Sequence, residues 1–226
     1  MSSSLPCNIP YVLSLVSKNI FAKLDFKKLN IKDVMDGKPL PLPKFSVLDV
    51  GLGFGKWGFL IRDTFDVMMG QNFKKADWKI HITGIEPFSK CITPIQKEVY
   101  NKILKKDVFE VIDKLGKYDL IMFGDVIEHF EKDKAYKLLD KLLQHSDNII
   151  ISTPLGFMPQ GAWAGNEREI HRSGWVPEDF KKYHVVEYKI IEDDLFSDIM
   201  KKEIKSIPNL PKDAIGVKLL VLWIKK

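Results

Sequence analysis

Val47-Leu48-Asp49-Val50-Gly51-Leu52-Gly53-Phe54-Gly55-Lys56-Trp57-Gly58 carries a hydrophobic run into three alternating glycines and out into a helical pattern. Glycine tolerates positive φ and lets a backbone approach a ligand closely. Phe45–Val50 therefore reads as a buried strand, Lys56–Phe65 as a helix, and residues 51–55 as the turn between them. In an open α/β sheet such a turn lies at the carboxyl end of its strand, where ligands bind. Gly53-Phe54-Gly55-Lys56-Trp57-Gly58 also fits the G-x-G-x-x-G pattern of dinucleotide sites, so this turn by itself leaves a nucleotide oxidoreductase open.

Downstream the same alternation repeats. Ile80–Ile85 is a second strand, residues 88–98 contain a helix, and a weak strand at Ile103–Leu104 precedes a short helix around Phe109–Leu115. Tyr118–Phe123 and Asn148–Ser152 are strong strands. Between them Asp133–Gln144 places Ala135, Leu138, Leu139, Leu142 and Leu143 on one side of a helix. This alternation predicts a parallel sheet with helices on both faces. Val185–Ile191 and Val217–Ile224 are β-rich with no clear crossover helix between them, which predicts an antiparallel pair at the end of the sheet. Upstream, Val12, Leu13, Val16, Ile20 and Leu24 recur at helical spacing, and Pro39, Pro41 and Pro43 make an extended linker. Residues 1–44 are expected to pack, as lid or brace, on a main domain of residues 45–226.

The 226 residues, 45% hydrophobic, suffice for one core. The net charge of +5 is nearly all lysine, since Arg62, Arg168 and Arg172 are the only arginines. A basic balance permits an RNA partner, but the lysine pairs are scattered as on a solvated surface. Cys7 and Cys91 form neither a metal-type pair nor a disulfide framework. No apolar run is long enough to span a bilayer, and no signal-peptide pattern opens the chain. A cytoplasmic protein with no membrane partner is expected; the oligomeric state is left open.

Two acids follow later strands. Glu86 closes the second strand, where a carboxylate accepts from both ribose hydroxyls of a nucleoside; the alternative is a first-turn helix acid. Asp107 follows the third strand and reads equally as an N-cap.

Leu120-Ile121-Met122-Phe123-Gly124-Asp125-Val126-Ile127-Glu128-His129-Phe130 adds a D-x-x-E-H-F run after the fourth strand. This run and the D-x-G-x-G-x-G form of the glycine turn resemble the class I S-adenosylmethionine-dependent methyltransferases. The resemblance holds in motif order over roughly residues 45–184 and weakly over the tail, whose late strand pair resembles that family's terminal hairpin. It implies a Rossmann-like, seven-stranded, mostly parallel sheet with an antiparallel terminal strand and helices on both faces. The implied cofactor is S-adenosylmethionine, contacted by Asp49, Gly51, Leu52, Gly53, Phe54, Gly55, Glu86, Pro87, Asp107, Val108 and Asp125. Glu86 would hold the ribose, Asp107 would accept from the adenine amino group, and Val108 would give a backbone contact.

Asp125, Glu128 and His129 stand at i, i+3 and i+4, so a helical turn would put all three on one face. Two carboxylates and an imidazole suit a divalent metal, and His171 is a candidate fourth ligand. The layout resembles two metal-dependent groups. One is the small-RNA 3′-terminal 2′-O-methyltransferases, with E-x-x-E-H and a histidine four residues before a tryptophan, as His171 and Trp175 stand here. The other is the ubiquinone-pathway O-methyltransferases. Both have Glu where this chain has the shorter Asp125, which is expected either at an Mg, Mn or Zn ion or beside the cofactor. In a metal-free reading Glu128 and His129 order the turn, and His171 with Arg172 contacts substrate.

Either His129 or His171 is the candidate base, oriented by Glu128. The irregular stretch Ser152–Asn166 is long enough to be functional, and Phe157, Met158 and Trp163 are expected to shape a substrate pocket. The leading expectation is methyl transfer to oxygen or nitrogen of a small or saccharide-like acceptor. Alternatives are a metal-dependent RNA ribose 2′-O-methyltransferase and a non-catalytic methyltransferase-like binding module.

Overall fold

The computed structural model describes residues 6–192 and 218–226. A 3-10 turn, Pro6–Asn8, leads into α1 (Ile9–Phe21), with Pro10 in the first turn where its missing amide costs nothing. Val12, Leu15, Val16 and Ile20 of α1 are buried in one cluster with Val47, Leu120, Met122, Ile150 and Val221, so the helix braces one face of the sheet. A short helix, α2 (Ile31–Met35), is capped by the Asn30 side chain. It has no buried residue, hence no apolar period by which the sequence could announce it.

The remaining elements alternate as expected: β1 (Phe45–Val50), α3 (Lys56–Ile61), β2 (Ile80–Ile85), α4 (Pro94–Val99), β3 (Lys102–Leu104), α5 (Val108–Val111), β4 (Leu120–Gly124), α6 (Lys132–Leu142), β5 (Asn148–Pro154), β6 (His184–Glu192) and β7 (Lys218–Lys225). The helix expected over Lys56–Phe65 runs further. It passes into π-helical turns over Arg62–Met69, where the Gly70 amide donates to the Phe65 carbonyl. Val217, the first residue of the expected last strand, lies outside the described residues.

The seven strands are ordered β3-β2-β1-β4-β5-β7-β6. β1 pairs parallel with β2 and β4, β2 with β3, and β4 with β5. β7 runs antiparallel to both β5 and β6. The reversed strand is therefore last in the chain but second from the edge, and β6 forms the edge.

Side chains on each strand alternate between two cores. Ile149 and Ile151 join α6 on one face, while Ile150 meets α1 on the other. The order reverses between β1 and β4, so their carboxyl ends open a crevice at the topological switch point. Among the described residues no helix is long and apolar enough to cross a membrane.

Candidate active site

Gly51, Gly53 and Gly55 all take positive φ, at 74°, 51° and 89°. A side chain there would be strained whatever the space around it. Gly51 has no space either, because a Cβ would stand 2.4 Å from Val126 Cγ2. Glu86, at the end of β2, accepts from the Gly53 amide through Oε2 (3.0 Å) and from the Phe88 amide through Oε1 (2.8 Å). Burial pushes its pKa up, and the two amides partly restrain it. The acid expected at the ribose thus also clamps the glycine turn.

A cavity of about 640 Å³ opens at the switch point, within the range of small-molecule sites. Gly51, Leu52, Gly53 and Phe54 form one wall; Glu86, Pro87, Asp107 and Val108 form the next. Asp125 and His129 close it from the end of β4. Asp49 and Gly55 do not reach it. Asp49 lies beneath the turn, 1% exposed, and accepts from the Tyr100 hydroxyl. Burial pushes its carboxyl up to about 7, with the Tyr100 bond pulling the other way and the Glu86 charge adding to the rise. Asp107 does cap α5, accepting from the Phe109 amide at 3.0 Å, and it also pairs with Arg168.

The expected common face of Asp125, Glu128 and His129 does not form. Asp125 itself is left-handed, with φ 53°, and the helical turn starts only at Ile127–His129. A residue outside the turn cannot share its face. Asp125 instead accepts from the Ser152 hydroxyl at 3.2 Å and stands against Lys56. Burial raises the Asp125 pKa and lowers that of Lys56, and each charge partly restores the other.

Glu128, His129 and His171 do come together, with one ligand atom of each within 4.8 Å of the others; Asp125 is not in the group. His171 is brought there by the segment after β5: its amide donates to the Gln160 carbonyl, and its Nδ1 lies 2.6 Å from the Met158 carbonyl oxygen. That contact assigns the ring proton to Nδ1 and leaves Nε2 buried without a hydrogen-bond partner. His129 Nδ1 similarly faces the Ile170 carbonyl at 3.4 Å. Thr153 donates to Glu128 Oε2 at 3.1 Å. Burial lowers the pKa of both imidazoles and raises that of Glu128 well above the carboxylate range.

Two neutral imidazoles, each tied at Nδ1 to a carbonyl, and one buried carboxyl match the donor set of a transition-metal site with its supporting shell. Imidazole nitrogens favour zinc or manganese over magnesium, which prefers oxygen ligands. His129 reaches the cavity wall, whereas Glu128 and His171 lie behind it, 2% and 5% exposed.

Of the three side chains expected to shape a substrate pocket, only Trp163 lines the cavity. It stands on a tight turn, with Ala164 and Gly165 at positive φ and a bridge from Trp163 to Asn166. Phe157 points to solvent, and the Met158 carbonyl serves His171. The sequence reading missed Lys56, Tyr100, Thr153 and the Arg168 bridge to Asp107. Lys56 follows the glycine turn directly and could have been noticed; the other three act through contacts distant in sequence.

Comparisons with known proteins complete the picture. Magnesium protoporphyrin IX methyltransferase from Synechocystis PCC 6803, solved with bound SAH, superposes with a TM-score of 0.53 at 15% identity, over 97% of this chain and 83% of that one. The fold is that of the class I methyltransferases. The cyclopropane synthase MmaA2 from Mycobacterium tuberculosis gives 0.52 at 11% identity, over 81% and 79% of the two chains. A SAM-dependent methyltransferase from Archaeoglobus fulgidus gives 0.51 at 17% identity, over 80% and 86%. No family model matches the sequence, and no curated protein matches it significantly. At these identities the likeness speaks for the fold alone.

Proposed function

We propose that this chain is an S-adenosylmethionine-dependent methyltransferase that methylates an oxygen or nitrogen of a small or saccharide-like acceptor. The observation that carries the proposal is the convergence of the glycine turn, Glu86 and His129 on one cavity at the carboxyl ends of β1, β2 and β4. An oxidoreductase would share the glycine turn and the ribose acid, and binding of NAD without binding of adenosylmethionine would favour it.

When bound, S-adenosylmethionine supplies an electrophilic methyl carbon. The chain's part is placement, which accounts for much of the acceleration in an in-line displacement. The positive-φ glycines bring backbone close to the ligand, and Glu86 fixes the ribose while anchoring Gly53. Without a metal, the His129 Nε2 would take a proton from an acceptor hydroxyl, since burial disfavours the charged ring and Nδ1 faces the Ile170 carbonyl; with a metal bound, that nitrogen would be a ligand instead. Trp163, which lines the cavity, would help to exclude water once a ligand is bound.

Glu128, His129 and His171 would hold a divalent cation, zinc or manganese by their donor set. Such a cation would supply Lewis acidity to an acceptor oxygen. The test is methyl transfer from labelled cofactor to a panel of hydroxyl and amine acceptors, before and after EDTA. Transfer that survives EDTA and His171→Ala unchanged would remove the metal from the proposal. Transfer to no acceptor, despite cofactor binding, would leave a binding module.

A further inference from the structure

Tyr100 follows α4 and precedes β3, 2% exposed, and takes no part in lining the cavity. Its ring fills a slot that exists because three other positions lack a side chain. A Cβ on Gly58 would stand 2.3 Å from Tyr100 Cζ, one on Gly84 2.9 Å from Cδ1, and one on Gly55 3.3 Å from Cε2. Gly58 completes the G-x-G-x-x-G match, yet what it makes room for is this tyrosine rather than a ligand.

The Tyr100 hydroxyl donates to Asp49 at the end of β1 and accepts from the Gly58 amide at 3.2 Å. Gly58 belongs to the first turn of α3, whose amides have no carbonyl partner within the helix. The cap residue of α3 is Gly55, which has no side chain to offer them. Tyr100 therefore supplies from another element the acceptor that an N-cap serine or aspartate would supply locally. Both ends of the glycine turn are thereby tied to one phenol.

Gln96, four residues earlier and fully buried, serves the middle of the same turn, donating to the Gly53 carbonyl at 3.2 Å. Gly53 is thus held at both ends of its residue, its amide by Glu86 from the cavity side and its carbonyl by Gln96 from behind.

We propose that Tyr100 is a positioning residue for the cofactor turn, acting through a hydroxyl that joins Asp49 to the α3 amide of Gly58. The inference rests on the proposed cofactor, and it assigns Asp49 a role behind the turn instead of a ligand contact. The glycine turn is then preformed by the protein, so cofactor binding does not have to order it.

The experiment measures adenosylhomocysteine affinity by calorimetry for wild type, Tyr100→Phe, Asp49→Ala, the double variant, and Tyr183→Phe as a control. Tyr183 is a second hydrogen-bonded tyrosine, bonded to Asp140 and remote from the cavity. Tyr100→Phe and Asp49→Ala are each expected to weaken binding about tenfold, the scale of one buried hydrogen bond. In the double variant the losses should combine to less than their sum, because both changes break the Asp49–Tyr100 bond and only Tyr100→Phe also removes the acceptor of the Gly58 amide. Tyr183→Phe should bind as wild type does.

Amide exchange supplies a signature that loss of general stability would not give: Gly58 should exchange faster in Tyr100→Phe. Phe59, whose amide bonds to the Gly55 carbonyl, should stay protected. Unchanged affinity in Tyr100→Phe, or fully additive losses, overturns the proposal. If wild type itself binds no adenosylhomocysteine, the cofactor reading fails before any variant is compared.

Discussion

His171 Nδ1 lies 2.6 Å from the carbonyl oxygen of Met158. The contact spends one ring nitrogen on the backbone and leaves the other buried and unpartnered beside His129, whose ring centroid is 5.0 Å away. A buried polar atom with no partner carries a desolvation cost of about 1–3 kcal/mol. A ligand that coordinates Nε2 removes that cost. His171→Ala is predicted to lower zinc or manganese affinity by about 100-fold or more. Equilibrium dialysis against both metals checks this, and equal metal content in variant and wild type would count against the site.

Glu86 holds the glycine turn through the Gly53 amide and is proposed to hold the cofactor ribose as well. Glu86→Ala removes the acceptor of the Gly53 amide together with the expected ribose acceptor. Adenosylhomocysteine affinity should fall about 30-fold, the scale of one or two hydrogen bonds to a charged group. A fall of less than threefold in a calorimetric titration would show that the ribose is held elsewhere.

Asp49 gives a pH prediction. Its carboxyl rises from the ordinary 3.8 to about 7, chiefly through burial, so the folded state holds a proton that the unfolded chain has released. The group's contribution to stability is present below the unfolded value and is lost as pH rises through about 7. At about 1.4 kcal/mol for each pH unit, the full effect is on the order of 4 kcal/mol. Asp49→Asn keeps an acceptor for Tyr100 and escapes the titration. In urea unfolding it should gain stability over wild type at pH 8 and little at pH 4.5; an equal gain at both values would reject the assignment.

Arg168 reaches from the segment after β5 to Asp107 across the cavity opening, with its own side chain 55% exposed. An ion pair so open to solvent contributes roughly 1 kcal/mol or less. Arg168→Ala should therefore leave the unfolding midpoint within a few degrees of wild type, while limited proteolysis between residues 155 and 172 becomes faster. A large loss of global stability would mean that the bridge holds more than the loop.

The fold was legible where apolar residues run together or repeat with a period. β1, β2, β4 and β5 are short buried runs, and α6 shows its apolar stripe. α2 buries nothing and so left no trace. At the site, Glu86 and the positive-φ glycines were legible because strand ends and glycines have local meaning. The shared face drawn through Asp125 was not, because it assumed helical backbone where the chain is left-handed. Spacing reports a face only within a regular element. Tyr100 could not have been found from sequence, since its partners lie 51 and 42 residues away.

The central claim is that the cavity at the switch point takes S-adenosylmethionine. Calorimetric titration of adenosylhomocysteine into the protein, in EDTA and again with zinc or manganese added, tests it most directly. The account predicts saturable binding at one site per chain, in the micromolar range, lost or strongly weakened in Glu86→Ala. The absence of binding under every metal condition, in protein shown to be folded, would contradict it.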